Sequence, residues 1–353
     1  MLAIIIISSY VILIFFFIAI SIFHPYGNWD AWMIWNTKGI HLAEGGLSWY
    51  LNDSVHSLTH TGYPLLLPSI LANCWVIAKN TTTAVPVTVS LLFTLLATGV
   101  VSICITEWKG IFLGYVALVA MIITPHFFLE GQSQYADIPL SSFIVSAVVL
   151  TILNQRLFAG GFHISYLLVG VFLGFTLLLK NEGALITMCF LVASFLAVVF
   201  EKWNWKNLLM IVFGVLPFGV MLFHYKSQVP SQDHLQAIIW DFRLFDQAMS
   251  NLPLIAGYYL KNLIKVSEAI ILLMFVIVLK PINVGIYSER SSRFVFIFIL
   301  GVLTGYTTIY FIVSNPEFLL STSSMRLLMH IFPTLILFVM LNLRVNKTQN
   351  FGE

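Results

Sequence analysis

Charge is scarce in this sequence. Lys, Arg, Asp and Glu supply 9% of its 353 residues, where soluble domains carry about 25%. Hydrophobic residues supply 59%, and the mean hydropathy is +0.94. A water-soluble globule is thereby excluded, because so apolar a surface would expose patches far larger than solubility allows. Basic runs are missing as well: the net charge of +2 is spread along the chain, so no polybasic nucleic-acid or lipid patch is implied. Cysteine is rare. Cys74, Cys104 and Cys189 lie in apolar segments at unrelated spacings, which suits small packing residues and not a disulfide framework or metal site. No Gly-rich nucleotide loop, zinc spacing or locally supported Ser/His/Asp arrangement is present.

What remains is a series of long apolar runs. About 20 residues at 1.5 Å each cross the hydrocarbon, and lipid offers backbone groups no partner, so every span is expected to be helical. Ten runs qualify, near 2–23, 84–105, 110–129, 138–154, 164–180, 184–200, 207–223, 262–279, 294–313 and 326–341. The first is too long for a signal-peptide core and lacks a basic flank and a small-residue cleavage site, so it reads as a retained helix. The expected fold is an all-α polytopic membrane protein, one integral membrane domain over 1–353. Its two long outer loops are 24–83 and 224–261.

The segment "YPLLLPSILANCWVIA", residues 63–78, decides the sidedness. If it is re-entrant or interfacial and the N-terminus is cytoplasmic, the loops "EWKG", "NQRLFAGG", "EKWNWK", "LKPINVGIYSERSSR" and "RVNK" all face the cytoplasm. They hold nine Lys/Arg, as the positive-inside rule requires. Asp30, Asp137, Lys180–Glu182 and Arg326 then converge on the outer face. The stretch 231–253 alternates apolar and charged residues at helical spacing and is expected to lie on that surface as an amphipathic helix.

Polar stretches stand out from this background: "GNWDAWMIWNTKG" (27–39), "HTGYPLLLP" (60–68), "EGQSQYADIPLSS" (130–142), "LLLKNEG" (177–183) and "STSSMRLLMHIFP" (321–333). Through them the chain resembles the GT-C superfamily of membrane glycosyltransferases, in the bacterial branch akin to protein O-mannosyltransferases and the lipid A aminoarabinose transferase. The family pattern is an acidic residue in the first outer loop and a second before a Pro-Leu step. A Lys-x-x-Gly-like turn and a late Arg-Leu step ending in Pro follow. Asp30, Asp137 in "YADIPL", Lys180 in "KNEG" and Arg326 in "MRLLMHIFP" match it in order.

The resemblance implies a polyprenyl-phosphate-linked sugar as donor, inversion at the anomeric carbon, and a cell-envelope glycan, lipid or protein as acceptor. It places the active site at the exterior face of the plasma membrane, with no nucleic-acid partner. A hydroxyl is a poor nucleophile and needs a carboxylate to take its proton; Asp30 is expected in that role. Asp137 is expected to orient the acceptor or to help bind a divalent cation, Mg or Mn, although no metal ligand set is assigned. As the first helical residues, "A-D-I-P" also suit a helix start.

Lys180 and Arg326 are expected to bind the donor phosphate, since Arg can fork onto two phosphate oxygens and Lys acts as a point charge. Lys180 alternatively pairs with Glu182. Trp29, Trp32, Trp35, Lys38, His60, Tyr63, Tyr135, Asn181 and Glu182 complete the expected substrate contacts. The indoles equally suit the interfacial aromatic belt. Two other readings stay open: a secondary transporter or polyprenyl-lipid flippase, which calls for repeats and mid-depth charges, and an inactive GT-C-like scaffold.

Overall fold

A computed structural model describes residues 2–52, 60–158, 161–229, 243–279, 282–284, 290–313 and 316–345. Its helices, in chain order, are α1 (Leu2–Phe23), α2 (Asn36–Asn52), α3 (Leu66–Ala78), α4 (Ala84–Lys109), α5 (Ile111–Ile122), α6 (Pro125–Gln132) and α7 (Asp137–Leu157). They continue as α8 (Tyr166–Leu179), α9 (Glu182–Glu201), α10 (Trp205–Gln228), α11 (Arg243–Ile264), α12 (Ser267–Leu279), α13 (Arg290–Ile312) and α14 (Pro316–Asn342). A π-helical turn, Ala31–Trp35, leads into α2, with the Asn36 N–H donating five residues back to the Ala31 carbonyl. Two three-residue strands, β1 (Ile282–Val284) and β2 (Leu343–Val345), pair antiparallel.

Seven helices are long and apolar enough to cross a membrane, and an eighth span results if α5 and α6 count as one. The expected ten are not reached, for local reasons. The run 110–129 is bent by 67° between α5 and α6. Thr124 is extended there, as a residue before proline prefers, and Pro125 restarts the helix at its first turn. The run 164–180 folds only as the 14-residue α8, and 262–279 is interrupted before the 13-residue α12. The ambiguous segment 63–78 forms the 13-residue α3. Of the stretch 231–253, the part before Arg243 lies outside the described residues; the rest begins α11.

Burial sorts the spans. In α7, 83% of the spanning window is buried, and in α14 67%; in α1 and α10 the figures are 17% and 11%. Thus α7 and α14 form the centre, and α1 and α10 present Phe15, Ile22, Val220 and Phe223 outward, where lipid is the solvent. Basic side chains gather at one end of the bundle. There Arg293 pairs with Glu201 through two bonds of 2.5 and 2.6 Å, Arg156 lies over the Trp108 ring at 5.2 Å, and β1 meets β2. The first residues of α7 and α9 lie at the opposite end, with the acidic groups.

Candidate active site

Asp30 and Asp137 are brought together by a seam between two loops. The Asn28 N–H donates to the Ser133 carbonyl at 3.2 Å, and its side-chain amide to the Ser133 hydroxyl at 2.9 Å. Asn36 donates to the Gln134 side chain at 3.0 Å, and Gln134 to the Pro25 carbonyl at 3.1 Å. The Asp30 N–H reaches the Tyr135 hydroxyl at 3.4 Å. Gly27 makes the approach possible. Its φ is +69°, and a Cβ there would lie 2.5 Å from the Ser133 carbonyl oxygen, so any side chain would push the loops apart.

Asp137 opens α7 and is wholly buried. Its Oδ1 accepts from Lys180 Nζ at 3.0 Å and from His330 Nε2 at 2.7 Å; its Oδ2 accepts from Arg326 at 2.9 Å. The other arm of Arg326 donates to Asp30 Oδ2 at 2.6 Å. Lys180 also pairs with Glu182 at 3.2 Å. The result is an alternating row: Asp30, Arg326, Asp137, Lys180, Glu182. Burying one such charge alone would be prohibitive, so the row stands or falls together. With both Asp137 oxygens taken by cationic or N–H donors, the divalent cation considered for this residue does not fit. Among the described residues, no group of three or more His, Cys, Asp or Glu is placed to hold a metal ion.

The backbone sets the remaining cation. Lys180 follows α8 in extended conformation, and the turn through Asn181 starts α9 at Glu182. Gly183 lets α9 pack against α8: a Cβ there would sit 1.9 Å from the Thr176 carbonyl oxygen. Lys180 was expected to meet a phosphate directly, yet it is buried between two carboxylates. Arg326 keeps an open face, and its guanidinium carbon lies 4.5 Å from the Tyr135 ring centre.

The tryptophans divide. Trp29 and Trp32 are exposed, at 61% and 42%, and meet edge to face at 4.6 Å. Trp32 borders an open cavity of about 480 Å³ with Phe23, His24, Pro25, Tyr26 and Gly27. Trp35 is buried instead, 5.3 Å from the Tyr63 ring.

Residues 60–63 are held by their carbonyls. Lys38, fully buried, donates to those of His60 and Tyr63 at 2.8 and 3.2 Å. Tyr225 donates to those of Thr61 and Tyr63, and Lys226 to that of Gly62 and to the Asn181 side chain at 2.9 Å. The His60 residue is exposed and contributes its carbonyl to this brace. Tyr63 lies 6.0 Å from Lys180 Nζ. The Glu182 carboxylate first, and burial second, hold the Tyr63 hydroxyl above its usual range. Burial pushes the Tyr135 hydroxyl up to about 12. Both remain neutral phenols, able to donate to an anion.

Four residues of this site escaped the reading of the sequence. His330 lies one helical turn after Arg326, so the i, i+4 spacing in "RLLMH" was the available signal. Asp137 can only accept, so His330 carries its proton on Nε2; Nδ1 then accepts from the Tyr306 hydroxyl at 2.9 Å. Glu130 lies within electrostatic reach of Asp137, Arg326, Lys180 and Asp30. Tyr225 and Lys226 gave no local signal. Among the described residues, Glu130 Oε2, Glu182 Oε2, Arg326 Nε and Trp35 Nε1 are buried without a hydrogen-bond partner. Orphaned polar atoms are rare in native proteins, and this concentration suits a site that receives a polar ligand.

The architecture is shared with known structures. ArnT from Cupriavidus metallidurans in the apo state superposes with TM-score 0.58 at 12% identity, over 93% of this chain and 59% of that one. ArnT from the same organism bound to undecaprenyl phosphate superposes with TM-score 0.56 at 11% identity, with the same coverage. This chain therefore has the fold of the GT-C lipid A aminoarabinose transferase and spans about three-fifths of its length. No family model matches the chain, and no curated protein matches it.

Proposed function

We propose that this protein is an inverting glycosyltransferase that moves a sugar from a polyprenyl-phosphate carrier to a cell-envelope glycan, lipid or protein. The observation carrying this reading is the alternating ion row. Charges from four distant stretches meet at one end of an ArnT-like bundle, where one neighbour of the same fold holds undecaprenyl phosphate. The site is assigned to the exterior face of the plasma membrane because the basic loops gather at the opposite end.

In the proposed reaction the acceptor oxygen bonds to the anomeric carbon while its proton passes to an Asp30 carboxylate oxygen. The anomeric carbon–oxygen bond to phosphate breaks on the opposite face, and its electron pair leaves on the phosphate. Arg326 meets the charge that builds there. Asp137 and Lys180 hold Arg326 in place. Tyr63 and Tyr135 supply neutral donors to the phosphate or sugar, and Trp29 and Trp32 flank the acceptor approach. Lys38, Asn181 and His60 act through the 60–63 segment that they shape.

A transporter would place ionisable groups near mid-depth. Here Asp137 and Glu182 are the first residues of their helices and Lys180 directly follows its own, which favours chemistry at the surface. The test is sugar transfer by purified protein in liposomes, with radiolabelled polyprenyl-phosphate sugars and an envelope lysate as acceptor. Donor consumption by wild type and its loss in Asp30→Asn are expected. A scaffold or transporter would consume no donor.

A further inference from the structure

We infer that Arg326 couples the two substrates: the donor phosphate displaces Asp30 from the guanidinium and so releases the base only when a donor is bound. The inference rests on the proposed glycosyl transfer and adds an order of events to it.

The two arms of Arg326 are unequal. Toward Asp137 the contact is closed, since that carboxylate has no exposure and is also held by Lys180 and His330. Toward Asp30 the pair is open, with side-chain exposures of 22% for Arg326 and 23% for Asp30. Among the described contacts of the Asp30 carboxylate, Arg326 is its ion-pair partner. An anion arriving from solvent therefore competes with Asp30 and not with Asp137. Arg326 itself does not leave with the phosphate, because Asp137 and the Tyr135 ring hold it from behind. Its Nε, buried and without a partner among the described residues, offers a further donor once the arm toward Asp30 is vacated. A guanidinium presents its donors as a planar fork that two phosphate oxygens can fill.

The backbone at Asp30 need not move for this exchange. It is fixed by the Asn28–Ser133 seam and by the Asp30 N–H on Tyr135, so rotation of one side chain suffices. Before the exchange, the guanidinium competes with an incoming proton for the same carboxylate. Afterwards Asp30 is free to accept the proton of the acceptor hydroxyl, and the donor phosphate occupies the place from which it will depart.

The test is equilibrium binding of radiolabelled undecaprenyl phosphate to the full chain in nanodiscs. Removing a competitor should tighten binding, so Asp30→Asn and Asp30→Ala are each expected to bind roughly three- to fivefold more tightly than wild type. In an Arg326→Gln background there is no guanidinium to release, and the same Asp30 change should move affinity by less than about twofold. Unchanged or weaker binding in both folded Asp30 variants, with wild type still binding, overturns the coupling and leaves the transferase reading intact. An undiminished gain in the Arg326→Gln background also overturns it. Wild type that binds no polyprenyl phosphate removes both.

Discussion

His330 Nε2 lies 2.7 Å from Asp137 Oδ1, with 193 positions of sequence between them and neither side chain exposed. The contact joins the two most buried spans, α7 and α14, and Tyr306 extends it to α13. Asp137 in turn orients Arg326. A fault at His330 is thus transmitted to the phosphate end of the site through two contacts.

For that reason His330→Phe, which keeps a ring and loses the hydrogen bonds, is expected to lower turnover about 10- to 100-fold, the equivalent of ~1.5–3 kcal/mol for a bond to a charged group. Tyr306→Phe should cost less, being one contact further out. Steady-state transfer assays should show the loss in kcat with little change in donor KM; unchanged kcat would reduce His330 to packing.

Asp137→Asn should be costly to the fold itself. It leaves Lys180 and Arg326 without the carboxylate that joins them, and breaking such a buried pair costs about 3–5 kcal/mol. Thermal unfolding in detergent is expected to shift clearly downward relative to Asp30→Asn, which breaks an open pair. Similar shifts in the two variants would contradict the unequal arms.

Lys38 makes stability depend on pH. Burial first, and nearby Lys226 second, push its ammonium down to about 7, whereas an unfolded lysine titrates near 10.4. Between about pH 7 and 10.4 the unfolded chain holds the extra proton, so stability should rise with pH across that window and level off below it. The thermal midpoint is expected to climb from pH 7 to 9 in wild type, and Lys38→Met should flatten the climb. Parallel slopes would disprove the assignment.

Gly27→Ala should damage the site without touching a charge. The new methyl strains a positive φ and meets the Ser133 carbonyl, so the seam opens and Asp30 shifts from its partner. A displacement of about 1 Å can cost 10²-fold in rate. Turnover should fall by at least about tenfold while undecaprenyl phosphate still binds; full activity would show that the seam is dispensable.

At the other end, Arg293→Ala removes a partly exposed pair with Glu201. Such pairs are worth about 0–1 kcal/mol, so transfer activity should stay near wild type. A marked loss would mean that the basic end communicates with the site.

The charged members of the site were legible because each ionisable residue in an apolar chain needs a reason to be there. Asp30, Asp137, Lys180 and Arg326 stood out on those grounds, and the structure brings them into contact. Hydropathy could not show how they divide the labour: Lys180 lies deep between carboxylates and Arg326 keeps an open arm, a difference made by α8 ending at Leu179. Nor could it separate Trp35, which packs inside, from Trp29 and Trp32. Span counting failed where a run is apolar but locally broken, as at Thr124–Pro125. His330 was hidden because a histidine in an apolar helix has no charge of its own to draw notice.

The π-helical turn at Ala31–Trp35 gives chain length a role of its own. Such a turn is an α-helix carrying one additional residue. Removing that residue, for instance Met33, would rewind the turn and rotate everything after it by about 100°. Asp30, upstream, would keep its place on Arg326, while Lys38 would swing off the carbonyls of His60 and Tyr63. The two halves of the first loop are therefore phased by a count of residues, and a single deletion here would be felt as strongly as the loss of a charge.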